Sequence, residues 1–347
     1  MGRFLLPLVS HHETSEFEVF AYSRVLAPDA ITQSIRSQVD CWRNTAGMSD
    51  ERVAEQIRKD RIDILVDLTM HAASNRLLVF ARKPAPVQVT YLAYCSTTGL
   101  ETVDYRLSDP YLDPAGGDES HYSEQTIRLP QTYWCYQPSV ARRAVVPLPA
   151  QEGGSVTFGC LNNFCKVSDP VLTAWTRLLR ALPDSKLLLY AKEGSHRDRV
   201  VDRFRADGVN PLRIEFTGKV QAEAYFAMYD RIDIALDTFP FGGGTTTCDA
   251  LWMGVPVISL AGKTGVGRGG LSILSNIGLP ELVARSEDQY VHLAAGLAHD
   301  HSRLGHLSST LRERMERSPV MDAPGFARNI ESAYRRMWRE WCESNGR

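Results

Sequence analysis

The chain carries the sequence Phe239-Pro-Phe-Gly-Gly-Gly-Thr-Thr-Thr-Cys-Asp-Ala-Leu-Trp252 directly after an apolar run, residues 232–238, that predicts a buried strand. The glycines, which include Gly243 and Gly244, let a backbone or a ligand approach closely. The threonines that follow, Thr245 and Thr246 among them, stand where a helix begins. Unpaired N–H groups and the helix dipole attract an anion there. The stretch therefore predicts a phosphate site.

Two other readings of this segment stay open. A glycine-rich turn with a threonine cap explains it equally well. An ATP-binding P-loop fits poorly, because the nearest candidate, Gly262-Lys263-Thr264, has Val257 in place of the leading glycine.

Composition places the chain among ordinary globular proteins. Its 347 residues suit two domains, with 44% hydrophobic and 23% charged residues. A net charge of -2 gives no general attraction to nucleic acid or to an anionic membrane. The seven cysteines show no CxxC or zinc-ligand spacing, so no metal is expected. No apolar run reaches membrane-spanning length and the start lacks a signal-peptide layout, so the cytoplasm is the expected location.

Strand-like and helix-like segments alternate in both halves of the chain. This alternation predicts two parallel sheets covered by helices, with ligands at the carboxyl ends of the strands. We place a domain boundary in the Pro-, Arg- and Gly-rich residues 137–154. The expected division is an N-terminal Rossmann-like domain at 1–140, a nucleotide-sugar-binding Rossmann-like domain at 151–320, and a docking helix at 321–347.

Several side chains should lie near the predicted phosphate site. Lys166 follows a strand in Asn162-Asn-Phe-Cys-Lys166, and Arg268 and Lys263 occupy a second glycine-rich loop. Asp249 is one helical turn beyond the threonines and could accept from a sugar hydroxyl. Tyr225 and Phe226 could stack on a base, although aromatic residues at helical spacing are more often core. In the first domain, His71 follows the strand that ends at Leu68; a packed or capping histidine is an equally good reading.

Taken together, these motifs resemble the catalytic region of the O-linked N-acetylglucosamine transferase family, SPINDLY-like proteins included. The similarity covers nearly the whole chain. The matching segments are Arg82-Lys-Pro-Ala-Pro-Val-Gln-Val-Thr-Tyr-Leu-Ala-Tyr94, Thr97-Thr98-Gly99, Asp104-Tyr105, Asn162-Asn-Phe-Cys-Lys166, Ile234-Ala-Leu-Asp-Thr238 and Gly243-Gly-Thr-Thr-Thr-Cys-Asp-Ala-Leu-Trp-Met-Gly-Val-Pro256.

The resemblance implies an α/β protein of the GT-B fold. It implies inverting, metal-independent transfer of a sugar, N-acetylglucosamine above all, from a UDP donor to Ser/Thr hydroxyls of proteins, with no cofactor. Lys166 would hold the leaving diphosphate with help from Asn163, and His71 would serve as a second catalytic residue. The donor would be bound by the remaining positions, which are Tyr225, Gly243, Gly244, Thr245, Thr246, Asp249 and Arg268.

The chain departs from the family pattern in three respects. The family's opening strand, with its acidic residue and His-Pro, is missing, and residues 1–6 look like the first helix already under way. The usual Tyr-Pro-Gly-Thr reads Tyr94-Cys-Ser-Thr97, and the preceding repeat array is absent. We therefore expect either a misplaced start or a truncated copy. The alternatives are a catalytically impaired nucleotide-sugar-binding protein and a GT-B enzyme for saccharide or lipid acceptors.

Overall fold

The structure, a computed structural model, describes residues 1–140 and 144–346. The chain forms two compact units. The N-terminal unit contains Met1–Gln137 and Pro319–Arg347, and the C-terminal unit contains Pro138–Ser318. The final helix thus belongs, by its contacts, to the N-terminal unit.

The C-terminal unit is built on one continuous sheet. Its strands are β7 (Thr157–Cys160), β8 (Lys186–Tyr190), β9 (Ile214–Thr217), β10 (Ile234–Leu236), β11 (Val257–Leu260) and β12 (Val283–Ala284). All pairs are parallel and the order is β12-β11-β10-β7-β8-β9. Numbered from β7, this is the order 3-2-1-4-5-6 of a dinucleotide-binding Rossmann fold.

Helices connect and cover these strands. They are α5 (Pro149–Gly153), α6 (Asp169–Ala181), α7 (Ser195–Ala206), α8 (Ala222–Met228), α9 (Thr245–Trp252), α10 (Gly269–Asn276), α11 (Glu287–His299) and α12 (His301–Glu316). Trp175 of α6 is fully buried and its indole N–H donates to the hydroxyl of Tyr290 in α11 at 3.2 Å. The central strands are buried on both faces, as a parallel sheet requires.

The N-terminal unit has the same kinds of element but a divided sheet. Its strands are β1 (Phe20–Ser23), β2 (Cys41–Asn44), β3 (Ile64–Asp67), β4 (Val87–Thr90), β5 (Tyr105–Ser108) and β6 (Gln125–Arg128). In the described part of the chain, β1 pairs only with β2, whereas β3 to β6 form a separate parallel sheet of four strands. Its helices are α1 (Gly2–Val9), α2 (Ala30–Arg36), α3 (Asp50–Lys59), α4 (Leu77–Phe80) and α13 (Ala323–Ser344).

The elements predicted from periodicity are found, with shorter strands. The helix predicted over residues 50–59 matches α3, and the helix-like start of the chain is α1. The sequence did not predict β2 or β5, which read Cys-Trp-Arg-Asn and Tyr-Arg-Leu-Ser. Both contain a buried or half-buried arginine, which weakens the apolar pattern. In β5, Arg106 is paired with Asp113 at 2.8 Å, which makes its burial tolerable.

Candidate active site

The candidate site lies where the strand order of the C-terminal sheet reverses. Strands β7 and β10 are neighbours there, but their following connections lead to opposite sides of the sheet. In open α/β sheets this reversal opens a crevice at the carboxyl ends of the strands. Two loops that the sequence singled out, 162–166 after β7 and 237–244 after β10, meet at this point.

Asp237, directly after β10, organises the base of the site. Its side chain is 2% exposed, and its carboxylate accepts from the backbone N–H of Gly243 at 2.6 Å, the Ser259 hydroxyl at 2.9 Å and the Asn162 amide at 3.0 Å. Burial raises the pKa of this carboxyl above its ordinary value. The donors fix the glycine loop on the sheet through one buried acceptor.

Asn162 joins the two loops. Its amide nitrogen donates to Asp237 and to the hydroxyl of Thr238 at 2.9 Å, while its oxygen accepts from the hydroxyl of Thr246. The neighbouring Asn163, which the sequence favoured, accepts from the N–H of Cys165 at 3.3 Å and so caps the turn that carries Lys166. The Thr246 hydroxyl therefore points to Asn162 in this structure.

The glycine–threonine loop has no room for extra atoms. A Cβ on Gly243 would lie 2.6 Å from the hydroxyl oxygens of both Thr246 and Thr247. Gly244 precedes α9, and no side-chain hydrogen bond caps this helix. Its first N–H groups lack acceptors within the helix, as at any helix start. This end of α9 is suited to bind an anion.

Lys166 lies beside this helix start. Its ammonium donates to the carbonyl of Gly242 at 2.7 Å and lies 3.6 Å from the ring centre of Phe241. The cation is therefore held two residues before the helix cap Gly244. A fixed positive charge and free N–H groups together form an electrostatic trap for a diphosphate.

Tyr225 and Asp249 form the adjacent polar pair. The Tyr225 hydroxyl donates to the Asp249 carboxylate at 3.0 Å and also contacts the Tyr229 hydroxyl at 2.9 Å. Asp249 is 1% exposed, so its carboxylate is held by this contact at the inner wall. Tyr225 is partly exposed, whereas Phe226 is 1% exposed and belongs to the core. The stacking hypothesis therefore fails for Phe226 because its ring is covered.

The second glycine-rich loop packs against the first. Gly262 and Gly267 approach so closely that a Cβ on Gly267 would lie 3.0 Å from the carbonyl of Pro240. Arg268 donates from Nε to the carbonyl of Gly262 at 3.1 Å. This bond closes the loop and places a guanidinium in the segment that follows β11.

His71 belongs to the N-terminal unit and is described by itself. It is exposed, and its Nε2 is 2.9 Å from the carbonyl oxygen of Thr97. The turn before it is held by Asp67, whose buried carboxylate accepts from the N–H groups of Thr69 and Met70. The predicted second catalytic histidine is thus placed at the carboxyl end of β3.

The C-terminal unit brings together the predicted residues Lys166, Asn163, Gly243, Gly244, Thr245, Thr246, Asp249 and Tyr225, with Arg268 on the neighbouring loop. Sequence reasoning missed Asn162 and Asp237 as site residues. Both stand at strand ends inside segments already singled out, but their buried partners appear only in the fold. Among the residues that the structure describes, no group of three or more His, Cys, Asp or Glu side chains is arranged to hold a metal ion. Within the same residues, every helix is too short or too polar to cross a bilayer.

Comparison with known proteins identifies the family. The sequence model of glycosyl transferase family 41 matches residues 4–139 and 135–330. The chain is 41% identical, over 99% of its length, to a tomato (Solanum lycopersicum) protein named probable UDP-N-acetylglucosamine–peptide N-acetylglucosaminyltransferase SPINDLY. It is 29% identical, over 95% of its length, to the Arabidopsis thaliana protein SEC, which carries the same enzyme description. The chain spans 38% and 35% of these two relatives.

Solved structures agree with this assignment. A mutant of the Thermobaculum terrenum O-GlcNAc transferase superposes with a TM-score of 0.93 at 38% identity, covering 99% of this chain and 66% of the other. The lipopolysaccharide galactosyltransferase WaaB shares the fold alone, with a TM-score of 0.58 at 14% identity, covering 96% of this chain and 95% of the other. The chain, an α/β protein of the GT-B fold, therefore belongs to glycosyl transferase family 41.

Proposed function

We propose that the protein transfers a sugar, N-acetylglucosamine first among the candidates, from a UDP donor to Ser/Thr hydroxyls of a protein or peptide acceptor. Membership of family 41 and the names of the relatives support the sugar and the acceptor class. The near-neutral net charge, -2, supports a proposal without nucleic-acid or membrane partners.

One observation carries the proposal. The ammonium of Lys166 is anchored to Gly242, next to the uncapped start of α9. Breaking a glycosyl–phosphate bond leaves negative charge on the diphosphate, and donors already fixed toward that charge lower the barrier. In this proposal Lys166 and the N–H groups of Thr245 and Thr246 stabilise the leaving UDP. These protein groups supply the positive charge, so we propose transfer without a metal or another cofactor.

The other predicted residues take roles around the donor. Asp249, held by Tyr225, accepts from the ribose hydroxyls, and the Tyr225 ring supports uracil. Arg268 extends the positive charge along the diphosphate, and Asn163 holds the turn of Lys166 through its cap. His71 is proposed as a proton-handling group for the acceptor side, since its ring is exposed and oriented by the Thr97 carbonyl.

A cytoplasmic location is proposed as well. All seven cysteines, which include the exposed Cys165, are free thiols. Unpaired thiols are usual where glutathione and thioredoxin keep them reduced.

A second candidate is a protein that binds a nucleotide sugar without transferring it. The divided sheet of the N-terminal unit favours this candidate, because the C-terminal unit holds an intact diphosphate site beside it in the chain. In that case binding of UDP would be retained and sugar release would not occur.

The two candidates are separated by one assay with three acceptor conditions. The 347-residue protein is incubated with UDP-N-acetylglucosamine, UDP-glucose or GDP-fucose, and with a Ser/Thr-rich peptide, a saccharide or no acceptor. Free nucleotide and the mass of the acceptor are measured, with EDTA in a parallel series. We expect UDP release and a peptide heavier by one N-acetylhexosamine, unchanged by EDTA. Binding of UDP by calorimetry with no release in any condition would support the second candidate instead.

A further inference from the structure

The division of the N-terminal sheet leaves a slot between β1 and β3. A cavity of about 1190 Å³ has both strands in its wall, together with side chains of α1, α2, α3 and α13. Its volume exceeds the ~300–1,000 Å³ usual for a small-molecule pocket. Apolar side chains dominate the part contributed by the helices, among them Ile31, Ile35, Tyr334 and Trp338.

The β1 rim of the slot is an unpaired strand edge. The backbone oxygens of Val19 and Ser23 accept from the β2 side, at 3.1 and 2.7 Å. Since alternate residues of a parallel strand turn their N–H and C=O to opposite neighbours, Phe20 and Tyr22 present theirs to the slot. All four residues of β1 are only partly buried, although three of them are apolar or aromatic.

The β3 rim has the same geometry. The oxygens of Asp63 and Asp67 accept from the β4 side, from Val87 at 3.1 Å and from Tyr91 at 2.9 Å. Ile64 and Val66 therefore turn their N–H and C=O toward the slot. Among the residues that the structure describes, no strand pairs with either rim. Two facing rows of unpaired backbone groups require partners.

The strand order shows which element fits between the rims. The C-terminal sheet places β7 between β8 and β10, and α6 leads from β7 into β8. The N-terminal unit repeats this order as β2-β1-slot-β3-β4-β5, with α1 leading into β1. A right-handed crossover through α1 would start on a strand next to β1, which is the position of the slot.

We propose that the slot is filled by an extended segment that pairs in parallel with both β1 and β3 and runs into α1 from its N-terminal side. The segment is apolar on both faces, because helices cover a central parallel strand on both sides. About four to six residues suffice to match the four-residue rims. This inference concerns the N-terminal unit and does not depend on the proposed transferase activity.

Other occupants explain the rims less well. A small apolar molecule would cover the side chains but leave the N–H groups of Phe20, Tyr22, Ile64 and Val66 without acceptors. A second copy of the chain would have to open its own sheet to supply a strand. Only an added strand satisfies both the apolar walls and the two backbone edges.

The test compares the 347-residue protein with two N-terminal fusions. The first fusion carries about five β-branched residues and a short polar turn before Met1. The matched control is the same extension with prolines at alternate strand positions, which remove ladder donors. Amide hydrogen exchange is measured at Phe20, Tyr22, Ile64 and Val66. Ala21 and Leu65, which face β2 and β4, serve as internal references.

We expect the first fusion to slow exchange at the four slot-facing amides by about tenfold or more, with little change at the two reference amides. The proline control should leave all six unchanged. If that fusion does not fold, the β-branched peptide added in trans to the unmodified protein must give the same alternate-residue pattern. Three results would overturn the proposal: slow exchange at the slot-facing amides in the unmodified monomer, protection that appears only in a dimer, or no protection with either form of the strand.

Discussion

The two units of this protein apply one architecture with different completeness. The C-terminal unit has six strands in unbroken order around β7, and the N-terminal unit has the same flanking order with an open position at its centre. In the C-terminal unit the central strand positions Asn162, which connects both loops of the candidate site. The comparison teaches that the strand at the reversal point is both the middle of the core and the support of the site.

Burial follows the same contrast. Strands β7, β8 and β10 of the C-terminal unit bury almost every residue, whereas β1 buries none fully and β3 alternates. A strand paired on one edge and open to a cavity on the other loses contacts as well as hydrogen bonds. We therefore expect the chemistry and most of the stability to reside in the C-terminal unit.

The largest expected effect is on turnover. Lys166→Ala removes the cation anchored at Gly242, so we expect kcat to fall about 10²–10³-fold if the proposed function holds. Release of UDP from UDP-N-acetylglucosamine is the measurement. Lys219→Ala, at an exposed lysine of the same unit, is the control and should be neutral. Turnover of Lys166→Ala equal to that of the control would remove the proposed role.

The next prediction compares one buried position in each sheet. Ile258 in β11 is 0% exposed, so Ile258→Ala should lower the free energy of unfolding of the C-terminal unit by about 2–5 kcal/mol. Ile64→Ala, in the partly buried β3, should cost less than half as much. Urea unfolding followed by hydrogen exchange measures the two units separately. Equal losses would show that the slot does not weaken its rims.

Acid should affect the two units in opposite directions. Burial acts to raise the pKa of Asp113, but hydrogen bonds from Arg106, Ser108 and Tyr122 outweigh it and leave the pKa below its ordinary value. The stabilisation from Asp113 is therefore present above about pH 4 and lost as the pH falls below it. Burial raises the pKa of Asp237, so its ionisation costs stability at neutral pH, and this cost is relieved on acidification.

From pH 6 to pH 3 the stability of the N-terminal unit should therefore decline more steeply than that of the C-terminal unit. Hydrogen exchange at each pH provides the measurement. Asp113→Asn should flatten the decline in the N-terminal unit alone. A variant with the slope of the wild type would mean that this ion pair does not set the acid response.

The smallest effect is expected at the sugar end of the site. Tyr225→Phe keeps the ring but removes the donor to Asp249, which should cost about 1 kcal/mol, or about fivefold in the Kd of UDP. Titration calorimetry with UDP measures the change. Tyr190→Phe, at the end of β8, is the matched control, and a Tyr225→Phe variant that binds like it would exclude the Tyr225–Asp249 pair from donor binding.

The sequence determined the alternation of strands and helices, the family motifs and the loops that carry the candidate site. These features depend on local pattern: apolar runs for buried strands, glycines for close approach, and threonines at a helix start. The helix α3 and the position of Lys166 could be predicted in this way, since each needs only its neighbours along the chain.

The tertiary structure alone decided which side chains hold the site and where the first sheet is open. Asn162 and Asp237 lie 75 residues apart and contact one another only because β7 and β10 pair. The separation of β1 from β3 likewise follows from pairing, which no local pattern specifies. Strand order depends on the free energy of the whole sheet, and that energy is set by partners distant in sequence.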